Sequence, residues 1–323
     1  MADLQRVEQY KQLWCDVFKD DKEFVEQYFD VFCNDKSFHY IANKHNLISA
    51  LLSCDYSWYC WQTQIPFAYL SGIVTNEDFR RQGYGSKLIL NSFDKLCNDY
   101  YLCGLIAEED SLKDYYQKFS FISLPDKKEE IFNRIDINRL LIDTYFLIKD
   151  ADITSSNYSR CFTYRDYSIS HTFNTLSLYN QERYLRFAIT YQGTLRAFTV
   201  GLKTKNFIEL LDLYAVNSQA KYAMLSLLAH TYKKDIKTLA QKNAMIRILN
   251  VRKLLEIYAK QNCAIDLSLH IEDRLIANNN ITVRIHDSIV EDVANSYRIK
   301  SISIEDLTTL LFPQGNFFLM LDR

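Results

Sequence analysis

Residues 80–85, which read Arg-Arg-Gln-Gly-Tyr-Gly, constrain the fold of this chain most, because they place two of its seven glycines in one short basic turn. The preceding residues 67–75 are apolar and rich in β-forming side chains, which predicts a strand. Residues 86–96 repeat apolar side chains at helical spacing, which predicts a helix. The expected local order is therefore strand, loop, glycine turn and helix.

This glycine turn has the composition of a phosphate-binding site. Glycine lets the backbone approach a ligand and adopt positive φ, so that consecutive N–H groups point at one anion beside a helix N-terminus. Arg80 and Arg81 add formal positive charge. The segment lacks the Lys-Ser/Thr ending of a P-loop and the Gly-x-Gly-x-x-Gly spacing of a dinucleotide fold. The alternative to a phosphate site is an ordinary glycine turn that caps a helix.

A second segment follows about thirty residues later, where a predicted strand (residues 103–107) precedes residues 108–121, Glu-Glu-Asp-Ser-Leu-Lys-Asp-Tyr-Tyr-Gln-Lys-Phe-Ser-Phe. Together the two segments resemble the GNAT superfamily of N-acetyltransferases, whose pyrophosphate motif Gln/Arg-x-x-Gly-x-Gly/Ala is matched by Arg80, Gly83 and Gly85. In that family a short helix ends in Tyr-x-x-x-Gly-Phe, and its tyrosine protonates the leaving thiolate of coenzyme A. Tyr116 aligns with this tyrosine, although Ser120 replaces the glycine. Tyr115 is the competing phenol, and an aromatic core stripe is the alternative interpretation.

Composition limits the remaining classes of function. The 323 residues predict two or three domains, and 48% of them are apolar, which suffices for hydrophobic cores. With 38 basic and 40 acidic residues the chain has no electrostatic signature for nucleic acid or an anionic membrane. No signal peptide or membrane span is predicted, so a soluble cytoplasmic protein is expected. The eight cysteines and six histidines show no metal-ligand spacing, and no metal is assigned.

Secondary-structure patterns divide the chain into three predicted domains. Residues 1–138 contain two amphipathic helices, 9–18 and 22–33, and an aspartate of the intervening residues 19–21 is placed to cap the second. Strands, the glycine turn and a further strand follow, and charged residues 127–138 mark the boundary. Residues 139–243 repeat strands followed by a helix but have neither arginine nor glycine at the junction, residues 216–222. Residues 244–323 combine an apolar segment, two alternating strands joined at residues 278–280, and a capping box at residues 303–306.

In this order the three domains resemble the enhanced intracellular survival family of N-acetyltransferases. The resemblance implies an α/β (α+β) protein: a catalytic GNAT domain, a degenerate second acetyltransferase-like domain and a small sterol-carrier-like domain. It implies an acyltransferase that moves acetyl from acetyl-coenzyme A directly to a primary amine of a small molecule or peptide in a ternary complex. Two alternatives stay open, a non-catalytic acyl-coenzyme A sensor or scaffold and a lipid carrier. Self-association into a homo-oligomer also stays open.

The family also implies the roles of individual residues. Main-chain groups of residues 73–75 would pair with the pantetheine arm and polarise the thioester carbonyl, and the glycine turn would hold the pyrophosphate. The residues expected to contact acetyl-coenzyme A are Ile73, Val74, Thr75, Arg80, Arg81, Gln82, Gly83, Tyr84, Gly85, Ser86, Ser111 and Leu112. Tyr116 is the expected general acid. Asp322, which matches an acidic residue found in some relatives, is the expected contact for the cationic amine substrate. The base is expected to be the C-terminal carboxylate of Arg323, with the acidic residues 108–110 as alternatives.

Overall fold

The computed structural model describes residues 4–134, 144–151, 167–170, 184–294 and 299–315. These residues divide into two compact units, the first from the described parts of residues 1–124 and 243–314 and the second from the described parts of residues 125–242 and 315–323. The first unit thus draws on two separate stretches of the chain. The predicted domain boundaries at residues 138 and 243 remain predictions.

The secondary structure elements follow in chain order. Up to residue 124 they are α1 (Leu4–Phe18), α2 (Lys22–Phe32), β1 (Phe38–Ala42), β2 (Leu47–Cys60), β3 (Thr63–Thr75), α3 (Tyr84–Leu96), β4 (Leu102–Ile106), α4 (Asp110–Gln117) and β5 (Ile122–Ser123). From residue 125 to 242 they are β6 (Ile131–Phe132), β7 (Phe146–Lys149), β8 (Ser168–Ser170), β9 (Leu185–Tyr191), β10 (Thr194–Lys203), β11 (Phe207–Ala215), α5 (Ser218–Tyr232) and β12 (Asp235–Thr238). The remainder are β13 (Ala244–Ile248), α6 (Val251–Gln261), β14 (Leu267–Glu272), β15 (Thr282–His286), β16 (Ile289–Asp292), β17 (Lys300–Ser303) and α7 (Ile304–Leu311).

The main sheet of the first unit has the strand order β1-β2-β3-β4-β13-β5. All neighbours in it are antiparallel except β3 and β4. Helix α3 packs on one face because Leu88, Ile89, Phe93 and Leu96 recur at helical spacing and are all buried. The predicted order of strand, glycine turn and helix is confirmed.

Two N-terminal helices are present where the sequence predicts them. The side chain of Asp21 accepts a hydrogen bond from Phe24 N at 2.7 Å, which confirms the predicted cap of α2. Tyr10 and Trp14 of α1 are buried and meet Phe29 of α2 at ring-centroid distances of 5.1 and 5.6 Å. Aromatic contacts therefore join the two helices.

Strand β13, which lies in the predicted third domain, belongs to the main sheet of the first unit. It pairs with β4 along its full length, from Ala244 opposite Ile106 to Ile248 opposite Leu102, and with β5 on its other side. All five of its residues are buried. Residues far apart in sequence therefore complete one sheet.

The rest of the C-terminal stretch of the first unit forms a four-stranded sheet, β16-β15-β14-β17, with helices α6 and α7. A 3-10 turn at Ala277–Asn279 connects β14 to β15, in agreement with the predicted asparagine turn. Ser303 Oγ accepts a hydrogen bond from Asp306 N at 3.0 Å, which confirms the predicted cap of α7. A sterol-carrier-like character of this region remains a prediction.

The second unit contains a six-stranded sheet of order β6-β12-β11-β10-β9-β7. Strands β9 to β11 and helix α5 correspond to the predicted strands and helix. At the junction between β11 and α5, Asn217 Oδ1 accepts a hydrogen bond from Ala220 N at 2.8 Å. This helix N-terminus is therefore capped by its own side chain, unlike that of α3. The assignment of this unit as a degenerate acetyltransferase-like domain remains a prediction.

Candidate active site

The parallel strands β3 and β4 pair at only three positions and then separate. Phe67, Ala68 and Tyr69 lie opposite residues 102–104, and no further pair joins the two strands. Residues 70–75 of β3 continue past this point with β2 as their partner, while residues 105–106 of β4 pair with β13. One edge of β3 therefore keeps backbone groups that can accept an extended ligand as an additional strand.

A bulge distorts β3 where its free edge begins. Gly72 and Ile73 face the single residue Leu51 of β2, and Gly72 has φ +61°, a left-handed conformation that favours glycine. Tyr10 Oη donates a hydrogen bond to Gly72 O at 2.8 Å. A Cβ at position 72 would overlap the Trp14 ring and lie 2.6 Å from Tyr10 Oη. Helix α1 therefore fixes the bulge that sets the direction of residues 73–75.

The glycine turn presents a row of backbone N–H groups at the N-terminus of α3. The first N–H with a protein acceptor is that of Lys87, which donates to Gly83 O at 3.0 Å. The N–H groups of residues 81–86 have no acceptor among the described residues. Gly83 has φ +84°, and a Cβ there would meet nothing within 4 Å. Unpaired N–H groups of this kind at a helix N-terminus can bind an anion.

The two arginines of the turn differ in structure. Arg80 Nε donates to Thr75 O at 3.1 Å, which ties the loop to the end of β3. Arg81 has φ +59° and an exposed side chain that has no hydrogen-bond or ion-pair partner among the residues that the structure describes. Gln82 Nε2 donates back to Asp78 O at 3.2 Å. Arg81 is thus the guanidinium that a bound phosphate can recruit, whereas Arg80 shapes the loop.

Three separate segments meet at Gly85. A Cβ on Gly85 would lie 3.1 Å from Tyr115 Oη and 3.4 Å from Thr75 Oγ1. Tyr115 Oη also lies 3.4 Å from Ser86 Oγ, and Thr75 Oγ1 lies 3.0 Å from Ser49 Oγ. The end of β3, the start of α3 and helix α4 therefore converge where the sequence places cofactor contacts.

Tyr116 lies beside this junction in the apolar core of the first unit. It is 7% exposed and shares a hydrophobic cluster with Leu70, Ile73 and Leu88. Burial, with smaller contributions from Tyr115 and Glu108, raises the pKa of Tyr116 well above its usual value. Its hydroxyl has no hydrogen-bond partner among the described residues, and the phenol is protonated at neutral pH. It therefore carries a proton that it can donate.

Tyr115, the competing phenol, is half-buried. Its pKa is also raised by burial, and the hydrogen bond with Ser86 opposes that shift. Its hydroxyl points toward the first turn of α3. The two adjacent tyrosines thus face different parts of the site, one near the glycine turn and the other in the core.

The first turn of α4 holds the other predicted contacts. Ser111 Oγ donates to Glu109 Oε2 at 3.2 Å, and Leu112 packs against the same cluster as Tyr116. Glu108, Glu109 and Asp110 are exposed after the end of β4. The predicted substrate contact Asp322 and the predicted base at Arg323 lie outside the described residues.

Sequence reasoning missed the contribution of α1 and of Ser49 to this site. Gly72 carried a usable signal, because an isolated glycine inside a strand pattern indicates a bulge. Tyr10 and Trp14 carried none, since their contacts with Gly72 join residues about sixty positions apart. Among the described residues no group of histidine, cysteine or acidic side chains could hold a metal ion. No described helix is long and apolar enough to cross a membrane.

Comparison with known proteins agrees with this geometry. Residues 2–121 match the acetyltransferase (GNAT) domain family. These residues therefore form a GNAT acetyltransferase domain, and the protein is an acyltransferase. No curated protein matches the chain.

Several solved structures share the fold along nearly the whole chain. A probable N-acyltransferase from Enterococcus faecalis aligns with TM-score 0.78 and 13% identity over 98% of this chain and 93% of its own. A GCN5-related N-acetyltransferase from Anabaena variabilis aligns with TM-score 0.77 and 13% identity over 96% and 88%. Eis1 from Mycobacterium abscessus aligns with TM-score 0.72 and 12% identity over 96% and 88%. At these identities the alignments establish the mixed α/β GNAT fold.

Proposed function

We propose that this protein transfers the acetyl group of acetyl-coenzyme A to a primary amine of a small molecule or peptide, in a direct ternary complex. The single observation that carries the proposal is the convergence at Gly85. There a row of N–H groups without acceptors among the described residues, the free edge of β3 and the half-buried Tyr115, which is next to the buried Tyr116, come together.

Acetyl-coenzyme A fits the donors that the chain offers. The pyrophosphate is an anion, and the N–H groups of residues 81–86 and the Arg81 side chain are donors that have no acceptor in the described parts of the chain. The pantetheine arm carries amides, which can pair with the backbone of residues 73–75 as a strand would. An N–H in that segment would also stabilise negative charge on the thioester oxygen. Ser111 and Leu112 would flank the same cofactor from the first turn of α4.

During the transfer the amine must lose a proton and the leaving thiolate must gain one. The neutral amine attacks the thioester carbonyl, a C–N bond forms, the C–S bond breaks, and the thiolate leaves with the bonding electrons. Tyr116 would protonate that thiolate, because its phenol carries a proton at neutral pH. Glu108 is a candidate base for the incoming ammonium, since it follows β4 and influences the pKa of Tyr116. The C-terminal carboxylate of Arg323 remains the other candidate.

The two adjacent tyrosines offer a matched test of this assignment. Tyr116→Phe should lower kcat by about 10²- to 10⁴-fold, the usual contribution of general acid catalysis, with little change in acetyl-coenzyme A affinity. Tyr115→Phe removes only a weak contact with Ser86 at 3.4 Å, so its kcat should stay within a few-fold of the parent, about 1 kcal/mol or less. Thiol release would be followed with polyamines, aminoglycosides, amino acids and lysine peptides as acceptors. A normal kcat for Tyr116→Phe with a large loss for Tyr115→Phe would reverse the two roles.

Calorimetry measures acetyl-coenzyme A affinity separately from turnover, and so distinguishes an enzyme from a protein that only binds acetyl-coenzyme A. Arg81→Ala should weaken acetyl-coenzyme A binding about tenfold or more, because a charge-assisted hydrogen bond contributes roughly 1.5 to 3 kcal/mol. Glu108→Gln should lower kcat without this effect if Glu108 is the base. Tight binding of acetyl-coenzyme A with no thiol release for any amine would indicate a sensor and would contradict the proposed transfer.

A further inference from the structure

The helix that carries Tyr116 is short, and its C-terminal end contacts two arginines from residues 243–314. Helix α4 has eight residues, and the last carbonyl groups of a helix have no partner inside it. Phe119 N and Ser120 N bond to Tyr116 O and Gln117 O at 2.9 Å each. The carbonyls of Gln117, Lys118 and Phe119 also accept hydrogen bonds from arginine side chains. Cationic groups at this end of a helix are favoured by its dipole.

Arg247 of β13 makes the stronger contact with this helix end. It is fully buried, and its Nη1 donates to Phe119 O at 2.6 Å. Its guanidinium carbon lies 4.6 Å from the centre of the Phe93 ring in α3. One side chain therefore touches the turn after Tyr116 and the helix that follows the glycine turn.

Asp273 neutralises the charge of Arg247 and orients it. Arg247 Nη2 and Asp273 Oδ2 are 2.6 Å apart, and both side chains are fully buried. Asp273 Oδ2 also accepts from Asn279 Nδ2 at 2.9 Å, and its Oδ1 accepts from the N–H groups of Leu275 and Ile276. A buried ion pair with this many hydrogen bonds has a single favourable geometry.

Arg274, the next residue, makes a second and exposed contact. Its Nη2 lies 3.4 Å from Gln117 O and 3.3 Å from Lys118 O. Ile276 packs in the same cluster as Tyr116. The segment after β14 therefore both packs beside Tyr116 and donates to the end of its helix.

We propose that Arg247 and Arg274 are positioning residues for Tyr116, which they hold at the thioester by fixing the C-terminal end of α4. The inference rests on the proposed acetyl transfer. Neither arginine contacts the reacting atoms, so each acts through the backbone of residues 117–119. Small displacements of a proton donor from its productive position reduce catalysis strongly, by about 10²-fold for 1 Å.

The first test uses Arg274→Ala, because this exposed side chain can be removed without disturbing the core. We expect kcat to fall about three- to tenfold while the KM for acetyl-coenzyme A changes less than about twofold, since an interaction that acts in the transition state lowers kcat. The matched control is Arg284→Ala, another exposed arginine of the same unit, which pairs with Asp266 at 2.8 Å and has no contact with α4. The control should keep the parental kcat.

Combining Arg274→Ala with Tyr116→Phe distinguishes a role in positioning Tyr116 from a general role in stabilising the fold. In a Tyr116→Phe background, Arg274→Ala should lower kcat less than about twofold, because residues that act as a unit are not additive. Arg247→Lys keeps the positive charge but can no longer reach both Phe119 O and Asp273, and we expect a kcat loss of about 10- to 100-fold. If that variant does not fold, Arg274→Ala decides the question.

Hydrogen exchange supplies a readout that needs no turnover. The amides of Phe119 and Ser120 should exchange at least about threefold faster in Arg274→Ala than in the parent, and those of Arg284→Ala should be unchanged. The proposal is overturned if Arg274→Ala has the parental kcat. It is also overturned if Arg274→Ala lowers kcat by the same factor in the Tyr116→Phe background as in the parent. If the parent protein transfers acetyl to none of the amines, the proposed function fails. Hydrogen exchange is then the deciding measurement, and unchanged protection of Phe119 and Ser120 in Arg274→Ala overturns the positioning role.

Discussion

Gly72 and Gly83 are two glycines with positive φ in the same unit, and their structural surroundings predict that substitution costs more stability at Gly72 than at Gly83. Alanine at either position must adopt a left-handed conformation, which costs about 1 to 2 kcal/mol. At Gly83 nothing lies within 4 Å of the new Cβ. At Gly72 the Cβ overlaps the Trp14 ring, and forced overpacking adds about 1 to 3 kcal/mol. Gly72→Ala should therefore cost about 2 to 5 kcal/mol, and Gly83→Ala no more than about 2 kcal/mol.

Two buried cysteines allow this cost to be measured in the first unit alone. Cys54 in β2 and Cys103 in β4 are fully buried and form no disulfide, so their modification during a urea titration reports unfolding of that unit. Burial raises the pKa of Cys103 to about 12, which further suppresses its reaction in the folded state. Mass spectrometry of the modified protein gives the urea midpoint for each variant.

The double variant Trp14→Phe/Gly72→Ala identifies the cause of the larger cost. If the Trp14 ring is responsible, the two substitutions should be coupled by about 1 to 3 kcal/mol, so that together they destabilise less than their sum. The loss of acetyl-coenzyme A affinity should rank the two single variants in the opposite order, so that Gly83→Ala loses more affinity than Gly72→Ala. Gly83→Ala places a methyl group in the proposed pyrophosphate site and should weaken binding about tenfold, or 1.4 kcal/mol. Equal destabilisation by Gly72→Ala and Gly83→Ala, or strict additivity with Trp14→Phe, would refute this reasoning.

Two further predictions concern single buried side chains. Ser120 has φ +61° and a buried hydroxyl with no hydrogen bond to any described residue, so Ser120→Gly should raise the free energy of unfolding by about 1 kcal/mol in a urea titration, and Ser120→Ala should gain less. Burial, with a smaller contribution from Lys95, lowers the pKa of His39 to about 4, below its unfolded value of about 6.5. The unfolded chain therefore binds a proton first, and stability that is present above pH 6.5 is lost as the pH falls toward 4. His39→Gln, which can keep a hydrogen bond with Ser53, should lose about 2 to 3 kcal/mol less than the parent between pH 7 and 4. Equal losses in both proteins would contradict the low pKa, and a Ser120→Gly variant less stable than the parent would contradict the strain.

Local sequence signals predicted the N-terminal half of the site. Residues 67–75 and 86–96 lie in β3 and α3, and Asp21 caps α2 as expected, because each of these features depends on neighbouring residues. The alignment of Tyr116 depended only on the order of the two sequence motifs. Ser120, which replaces the glycine of the second motif, adopts positive φ in that turn.

Long-range pairings could not be predicted in the same way. Residues 245–248 read as the start of a separate domain, yet they lie in the main sheet, because strand pairing depends on partners more than a hundred residues away. The contact between Arg247 and Phe119 O joins positions 128 residues apart, and no spacing rule connects them. Tyr10 and Gly72 are a similar case. Sequence thus predicted the candidate residues, whereas the contacts that support them are seen only in the folded structure.

The placement of β13 has a consequence for synthesis on the ribosome. Strand β4 ends at Ile106, but the strand that covers its free edge ends at Ile248. At a usual rate of about 5 to 20 residues per second, the nascent chain exposes that edge for on the order of 10 s. An uncovered edge strand pairs readily with other chains. A gene fragment that stops after residue 124 would leave the edge permanently open, and we expect its product to aggregate unless a segment containing residues 243–314 is expressed with it.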